Sequence, residues 1–151
     1  MSFGTSQPHI ASYMLIKKDG KYAFVLRGEQ TKWMQGYYGL PAGKIEINES
    51  ASAAAIREAK EEVGITVAPK DLRHVLTMHR NEAENDYPEW VDFFFEADSW
   101  EGEVHNAEPH MHESVEWLAL EELPENVIPN VHAALEAIQA GDHFTEFGFK
   151  P

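Results

Sequence analysis

Two apolar runs near the N-terminus, Ile10-Ala11-Ser12-Tyr13-Met14-Leu15-Ile16 and Tyr22-Ala23-Phe24-Val25-Leu26, read as strands. Asp19-Gly20 lies between them, a strong signal for a type I′ turn, so the pair predicts a hairpin. From Trp33 to Gly43 the pattern breaks up into glycines and aromatics around Pro41, which predicts a shaped loop. The clearest helix runs from Asn48 to Val63. Asn48 or Ser50 would cap it, Ala55, Ile56, Ala59 and Val63 form its apolar stripe, and Gly64 would close it in a left-handed conformation. Further strands are expected at Ile65–Val67, Leu72–His79, Trp90–Glu96 and Val115–Leu118, with Phe93, Phe94 and Phe95 mostly core. Asn81–Pro88 and Glu101–Glu113 read as polar loops, and Pro129–Ala140 as a second helix closed by Gly141. Strands, a helix, more strands and a last helix make an α+β chain, expected to be one domain over residues 1–151.

Composition narrows the function classes. Twelve Lys and Arg against 26 Asp and Glu leave a formal charge of −14, which disfavours nucleic-acid polymers and anionic membranes as partners. There is no cysteine for a disulfide, a thiol nucleophile or a thiolate metal site. No apolar run approaches the roughly 20 residues of a membrane helix, and the first residues lack the basic and apolar regions of a signal peptide, so a cytoplasmic location is expected.

Most of the acid is ordinary surface, but three carboxylates on the first helix are not easily dismissed. Glu58, Glu61 and Glu62 sit at i, i+3 and i+4, on one face, where like charges repel by a few tenths of a kcal/mol per pair. Arg57 and Lys60 relieve part of that repulsion. A hard divalent cation relieves more, and oxygen-only ligands suit Mg²⁺ or Mn²⁺ rather than zinc. The eight histidines show no paired helical spacing, and His105, His110 and His112 read as loop decoration.

The wider pattern is more specific. Gly43, five residues, Glu49, seven residues, Arg57-Glu58-Ala59, one residue, Glu61-Glu62, one residue and Gly64-Ile65 span residues 43–65. A chance match to the seven fixed Gly, Glu and Arg positions is on the order of one in ten million per start position. This pattern resembles the signature of the Nudix hydrolases. The resemblance implies an α+β fold with a mixed β-sheet between helices, an α/β/α sandwich, and hydrolysis of a nucleoside diphosphate linked to another group X with Mg²⁺ or Mn²⁺. By position, Glu58, Glu61 and Glu62 would be metal ligands, Glu58 also a base or water orienter. Arg57 would orient a carboxylate, Glu49 first, and Gly43 would bring a backbone carbonyl close to a metal. Independently of the family, a diphosphate repels an attacking hydroxide, so cations on a rigid carboxylate frame and direct attack by water form an economical mechanism.

The substrate side is thinner. Glu108 is the first candidate to complete the metal site, with Glu103 and Glu113 as alternatives. Arg27 resembles a phosphate-contacting cation, and Asn130 either reads a purine edge or caps the second helix. Trp33, Tyr37 and Tyr38 could stack on a base. Together these favour a small-molecule nucleotide such as 8-oxo-dGTP, cut to monophosphate and pyrophosphate. Ala42, in Leu40-Pro41-Ala42-Gly43, departs from the glycine usual in MutT-like members and points instead to ADP-ribose or an NDP-sugar. A non-catalytic nucleotide-binding module on the same fold ranks lower, since every signature carboxylate is present. A homodimer is a candidate assembly, and the tail Phe144–Phe149 would pack an edge or contact a partner.

Overall fold

In the computed structural model, residues 4–83 and 88–150 are described. β1 (His9–Lys18) and β2 (Lys21–Arg27) form the expected hairpin, with Asp19 and Gly20 both at positive φ (53° and 77°) as a type I′ turn requires. β1 then diverges from β2. It pairs in parallel with β6 (Glu89–Ala97) and antiparallel with β4 (Ala42–Lys44), while β5 (Arg73–Asn81) pairs antiparallel with β6. β2 is flanked by β3 (Tyr38–Gly39) and β7 (His112–Ala119). The mixed sheet is ordered β3-β2-β1-β6-β5-β8, with β8 (Phe144–Phe147) parallel to β5 at the edge.

Alternation along the strands feeds two cores. Ala11, Tyr13 and Leu15 of β1, Phe24, Leu76, Met78 and Phe94 face α2 (Pro129–Gln139), which contributes Val131, Ala134 and Leu135. Met14 and Ile16, with Ala23, Val25 and Phe95, face α1 (Ala51–Val63) and its Ala55, Ala59 and Val63. The mixed sheet between helices is therefore as expected. β1 is buried on both faces, and small alanines let α1 lie close against it, so the helix is a rigid platform for its outward side chains.

Several boundaries differ. α1 begins at Ala51 rather than Asn48: Ser50 is the cap, its Oγ accepting from Ala53 N at 3.2 Å, and Asn48 is left-handed at φ 66°. The expected loop contains two very short strands, β3 and β4. Ile65–Val67 makes only a bridge, Thr66 to Glu101. The polar loop expected after Asn81 lies partly outside the described residues, and Asn81 and Glu89 already belong to strands.

Candidate functional site

α1 carries the carboxylates because both its ends are fixed. Ser50 holds the first turn, and Gly64 ends it at φ 75° with its amide donating to Lys60 O. The left-handed φ is what favours glycine at 64; a Cβ there would also require the exposed His105 ring, 2.1 Å away, to move aside. The segment after it is stitched to the helix end. His105 N donates to Val63 O, Ala107 N to Glu62 O, and both Met111 N and His112 N to Glu108 O.

Arg57 is the hub. Its Nε and Nη2 donate to the two carboxylate oxygens of Glu49 at 2.7 and 3.0 Å, and its Nη1 donates to Glu58 Oε1 at 2.8 Å and Glu61 Oε2 at 3.3 Å. Nη2 also reaches Lys44 O at 3.2 Å, tying the helix to β4. A planar fork can satisfy this set where an ammonium cannot. Arg57, with help from the Glu46 amide, holds the Glu49 carboxyl down to about 2. Arg57 thus pairs with the carboxylate expected, Glu49, and also with Glu58 and Glu61.

Glu58 lies over Gly43. A Cβ there would fall 2.0 Å from Glu58 Oε1, so only glycine leaves room for this carboxylate against the β4 backbone. Burial, then the charge of Glu62, push Glu58 up to about 7 despite Arg57. Glu62 is buried and is pushed up to about 8, chiefly by burial, with the charge of Glu108 adding and the Ala42 amide, donating to Oε2 at 2.6 Å, opposing. Buried carboxylates with raised pKa and few cations around them are a poor bargain for a protein alone.

Of the three loop carboxylates considered, Glu108 is the one brought to this cluster; Glu103 and Glu113 are exposed. Its companion was missed. His112 does not decorate a loop: it starts β7, is 3% exposed, and places Nε2 3.4 Å from Glu62 Oε1. Glu62, Glu108 and His112 each offer a ligand atom within 4.8 Å of the others. Nδ1 of His112 is buried with no hydrogen-bond partner among the described residues, and burial lowers its pKa, which favours the neutral, lone-pair form. The inward turn comes from a bulge. The β2–β7 register pairs Leu26 with Ser114 and then Arg27 with His112, so His112 takes the place opposite Arg27 that strict alternation gives Glu113.

The expected substrate residues divide. Arg27 donates from Nε to Trp33 O at 2.7 Å and lies 5.5 Å from the Trp33 ring centre; burial lowers its pKa and the Glu62 charge raises it. Trp33 and Asn130 line one cavity of about 410 Å³ with Met34, Pro129 and Phe147. Asn130 is not a helix cap. The cap position is Ile128, and Asn130 sits inside the first turn at 1% exposure, Nδ2 toward Tyr13 Oη at 3.5 Å and Oδ1 without a partner among the described residues. Tyr38 does not line this cavity: its hydroxyl donates to Glu116 Oε2 at 2.6 Å. Also unforeseen is a buried ion pair beside Tyr13, Arg80 to Asp92 at 2.6 and 3.1 Å, with Arg80 also donating to Glu82 and lying 4.7 Å from the Trp90 ring centre.

Residues 6–139 match the family model of the NUDIX domain, and the chain belongs to the Nudix hydrolase family. The chain is 29% identical to the 8-oxo-dGTP diphosphatase of Escherichia coli over 106 residues, 70% of this chain and 76% of that one. It is 36% identical over 69 residues to the uncharacterized Nudix hydrolase YvcI of Bacillus subtilis, a match covering 46% of this chain and less than half, 44%, of that relative. The fold superposes on the MutT NUDIX hydrolase of Burkholderia pseudomallei with a TM-score of 0.77 and 30% identity, over 87% of this chain and 98% of that one. Among the described residues no helix is long and apolar enough to cross a membrane.

Proposed function

We propose that this chain hydrolyses a nucleoside triphosphate, with 8-oxo-dGTP as the lead substrate, to the monophosphate and pyrophosphate, using Mg²⁺ or Mn²⁺. The observation that carries this reading is the carboxylate cluster of Glu58, Glu61, Glu62 and Glu108 set close to Arg27, whose other neighbour, Trp33, lines a cavity where Asn130 Oδ1 lacks a partner among the described residues. The donor set fits a divalent cation. Glu58 and Glu62 are buried enough to resist ionising alone, and the space Gly43 leaves is filled by a carboxylate rather than a side chain of the fold. Glu58, Glu61, Glu62, Glu108 and the Gly43 carbonyl would hold the ions, with His112 as a nitrogen donor. Such ions neutralise phosphate oxygens and lower the pKa of water.

The chain's own residues do the rest. Arg57 occupies Glu58 Oε1 and leaves Oε2 to accept a proton from the water that attacks phosphorus. Glu49 acts only through Arg57, as a positioning residue. Arg27 offers its guanidinium to a phosphate, and Asn130 Oδ1 accepts from an N–H on the base edge. Ala42 counts little against the triphosphate: its backbone amide is what binds Glu62, and its φ is not positive, so glycine is not required there. A panel of dGTP, 8-oxo-dGTP, other NTPs, ADP-ribose and NDP-sugars with Mg²⁺ tests the reading. Pyrophosphate release with the oxidised purine fastest supports it; preference for ADP-ribose or an NDP-sugar transfers the same catalytic helix to that substrate class.

A further inference from the structure

The tail past residue 139 lies outside the matched family region, yet it forms part of the cavity. β8 is parallel to β5, with Thr77 opposite Phe144 and Arg80 opposite Phe147. It is firmly docked. Thr77 N donates to His143 O at 3.0 Å, Asn81 Nδ2 to Gly148 O at 3.4 Å, and the Phe149 ring lies 4.6 Å from that of His79. Gly148, at φ 83°, brings the backbone so close to β5 that a Cβ would fall 2.0 Å from Asn81 O. The strand therefore ends in a fixed place, next to the buried Arg80–Asp92 pair. Alternation turns Thr145 and Phe147 inward and leaves Phe144 and Glu146 exposed. Phe147 then shares the cavity with Trp33 and with the buried Asn130 Oδ1, which has no partner among the described residues.

We propose that β8 is a wall of the substrate pocket and that the Phe147 ring stacks on the base of the nucleotide, making Phe147 a specificity-determining residue. The inference rests on the reading that the cavity takes the nucleoside. Two aromatic side chains and one buried acceptor select a planar heteroaromatic ring with an N–H on the edge that meets Asn130. A phosphate chain without a base gains nothing from them.

Calorimetry with Mg²⁺ on the full chain tests this, using the α,β-methylene analogue of 8-oxo-dGTP and, separately, inorganic tripolyphosphate. Base–aromatic stacking predicts that Phe147→Ala weakens the analogue about tenfold and leaves tripolyphosphate unchanged, while Phe147→Tyr restores binding. Phe147→Leu keeps apolar packing without a ring face and serves if the alanine variant does not fold; it should weaken the analogue too. Phe149→Ala, just past the end of that strand and packed on His79, should bind like the wild type. Equal loss for both ligands, or no loss in Phe147→Ala and Phe147→Leu while Asn130→Ala weakens the analogue, overturns the assignment of Phe147 alone. Failure of the wild type to bind the analogue overturns the proposed function, and this inference with it.

Discussion

Replacing Glu62 by Gln should make the metal-free protein more stable at alkaline pH. The carboxyl goes from an ordinary 4.5 to about 8 on folding, mainly through burial. Between those values the folded state holds a proton that the unfolded state has released, so stability falls as pH rises through the window and the full cost is present above pH 8. At about 1.4 kcal/mol per pH unit the upper bound is ~5 kcal/mol. The side chain keeps 10% of its surface exposed, and water at that opening brings the expected cost to about 2 kcal/mol. Gln removes the charge and keeps the shape: its Oε1 can accept from Ala42 N and its amide can donate toward His112 Nε2. For a domain of this size the gain corresponds to a melting temperature higher by about 4–8 °C. Melts in EDTA should show that rise at pH 8.5 and a smaller one, about 2 °C, at pH 5, where the folded wild type is neutral at Glu62 but the unfolded chain has already released most of that proton. Glu49 works in the opposite sense but between 4.5 and about 2, below both conditions. Adding Mg²⁺ at pH 8.5 should stabilise the wild type and leave the variant nearly unmoved. A variant that melts below the wild type at pH 8.5 without metal would refute the reasoning.

Other perturbations test separate parts. Gly43→Ala puts a methyl 2.0 Å from Glu58 Oε1 and must displace that carboxylate, so turnover should drop about 100-fold while circular dichroism stays native; unchanged turnover would show that Glu58 works from elsewhere. His112→Asn removes the nitrogen donor of the Glu62–Glu108 group and should weaken Mn²⁺ binding, read by electron paramagnetic resonance, by at least tenfold and Mg²⁺ binding less. Equal effects on both ions would make His112 a packing residue only. Asp92→Ala leaves Arg80 buried opposite a void and should cost about 3–5 kcal/mol, measured by urea unfolding; a loss under 1 kcal/mol would contradict the burial argument.

The parts of this molecule readable in the sequence are those fixed locally. Asp19-Gly20 sets the hairpin through its own backbone preference, and Ser50 and Gly64 bound α1 within one turn of each end. Glu58, Glu61 and Glu62 share a face by helical geometry alone. What escaped is set by distant partners. β3 and β4 are too short to leave a periodic trace; the tail packs an edge, as expected, but it is a strand there only because β5 offers it that edge. His112 turns inward through a bulge against Arg27, whereas period-2 alternation would present Glu113 instead. Arg80 and Asp92 meet through the register of two antiparallel strands, which neither residue's neighbours in sequence reveal. Asn130 resembled a cap because it follows Pro129; the helix begins at Pro129 as expected, so the cap is Ile128 and Asn130 is buried within the first turn.

The central claim is that carboxylates held on α1 make this chain a metal-dependent pyrophosphohydrolase, with Glu58 taking the proton of the attacking water. The most direct measurement is Mg²⁺-dependent turnover of 8-oxo-dGTP by the wild type and by Glu58→Gln, with pyrophosphate as the product read. The account predicts measurable wild-type hydrolysis that EDTA abolishes, and a loss of about 1,000-fold or more in kcat for a glutamine variant that folds and melts normally. A Glu58→Gln enzyme that keeps near wild-type kcat would contradict it.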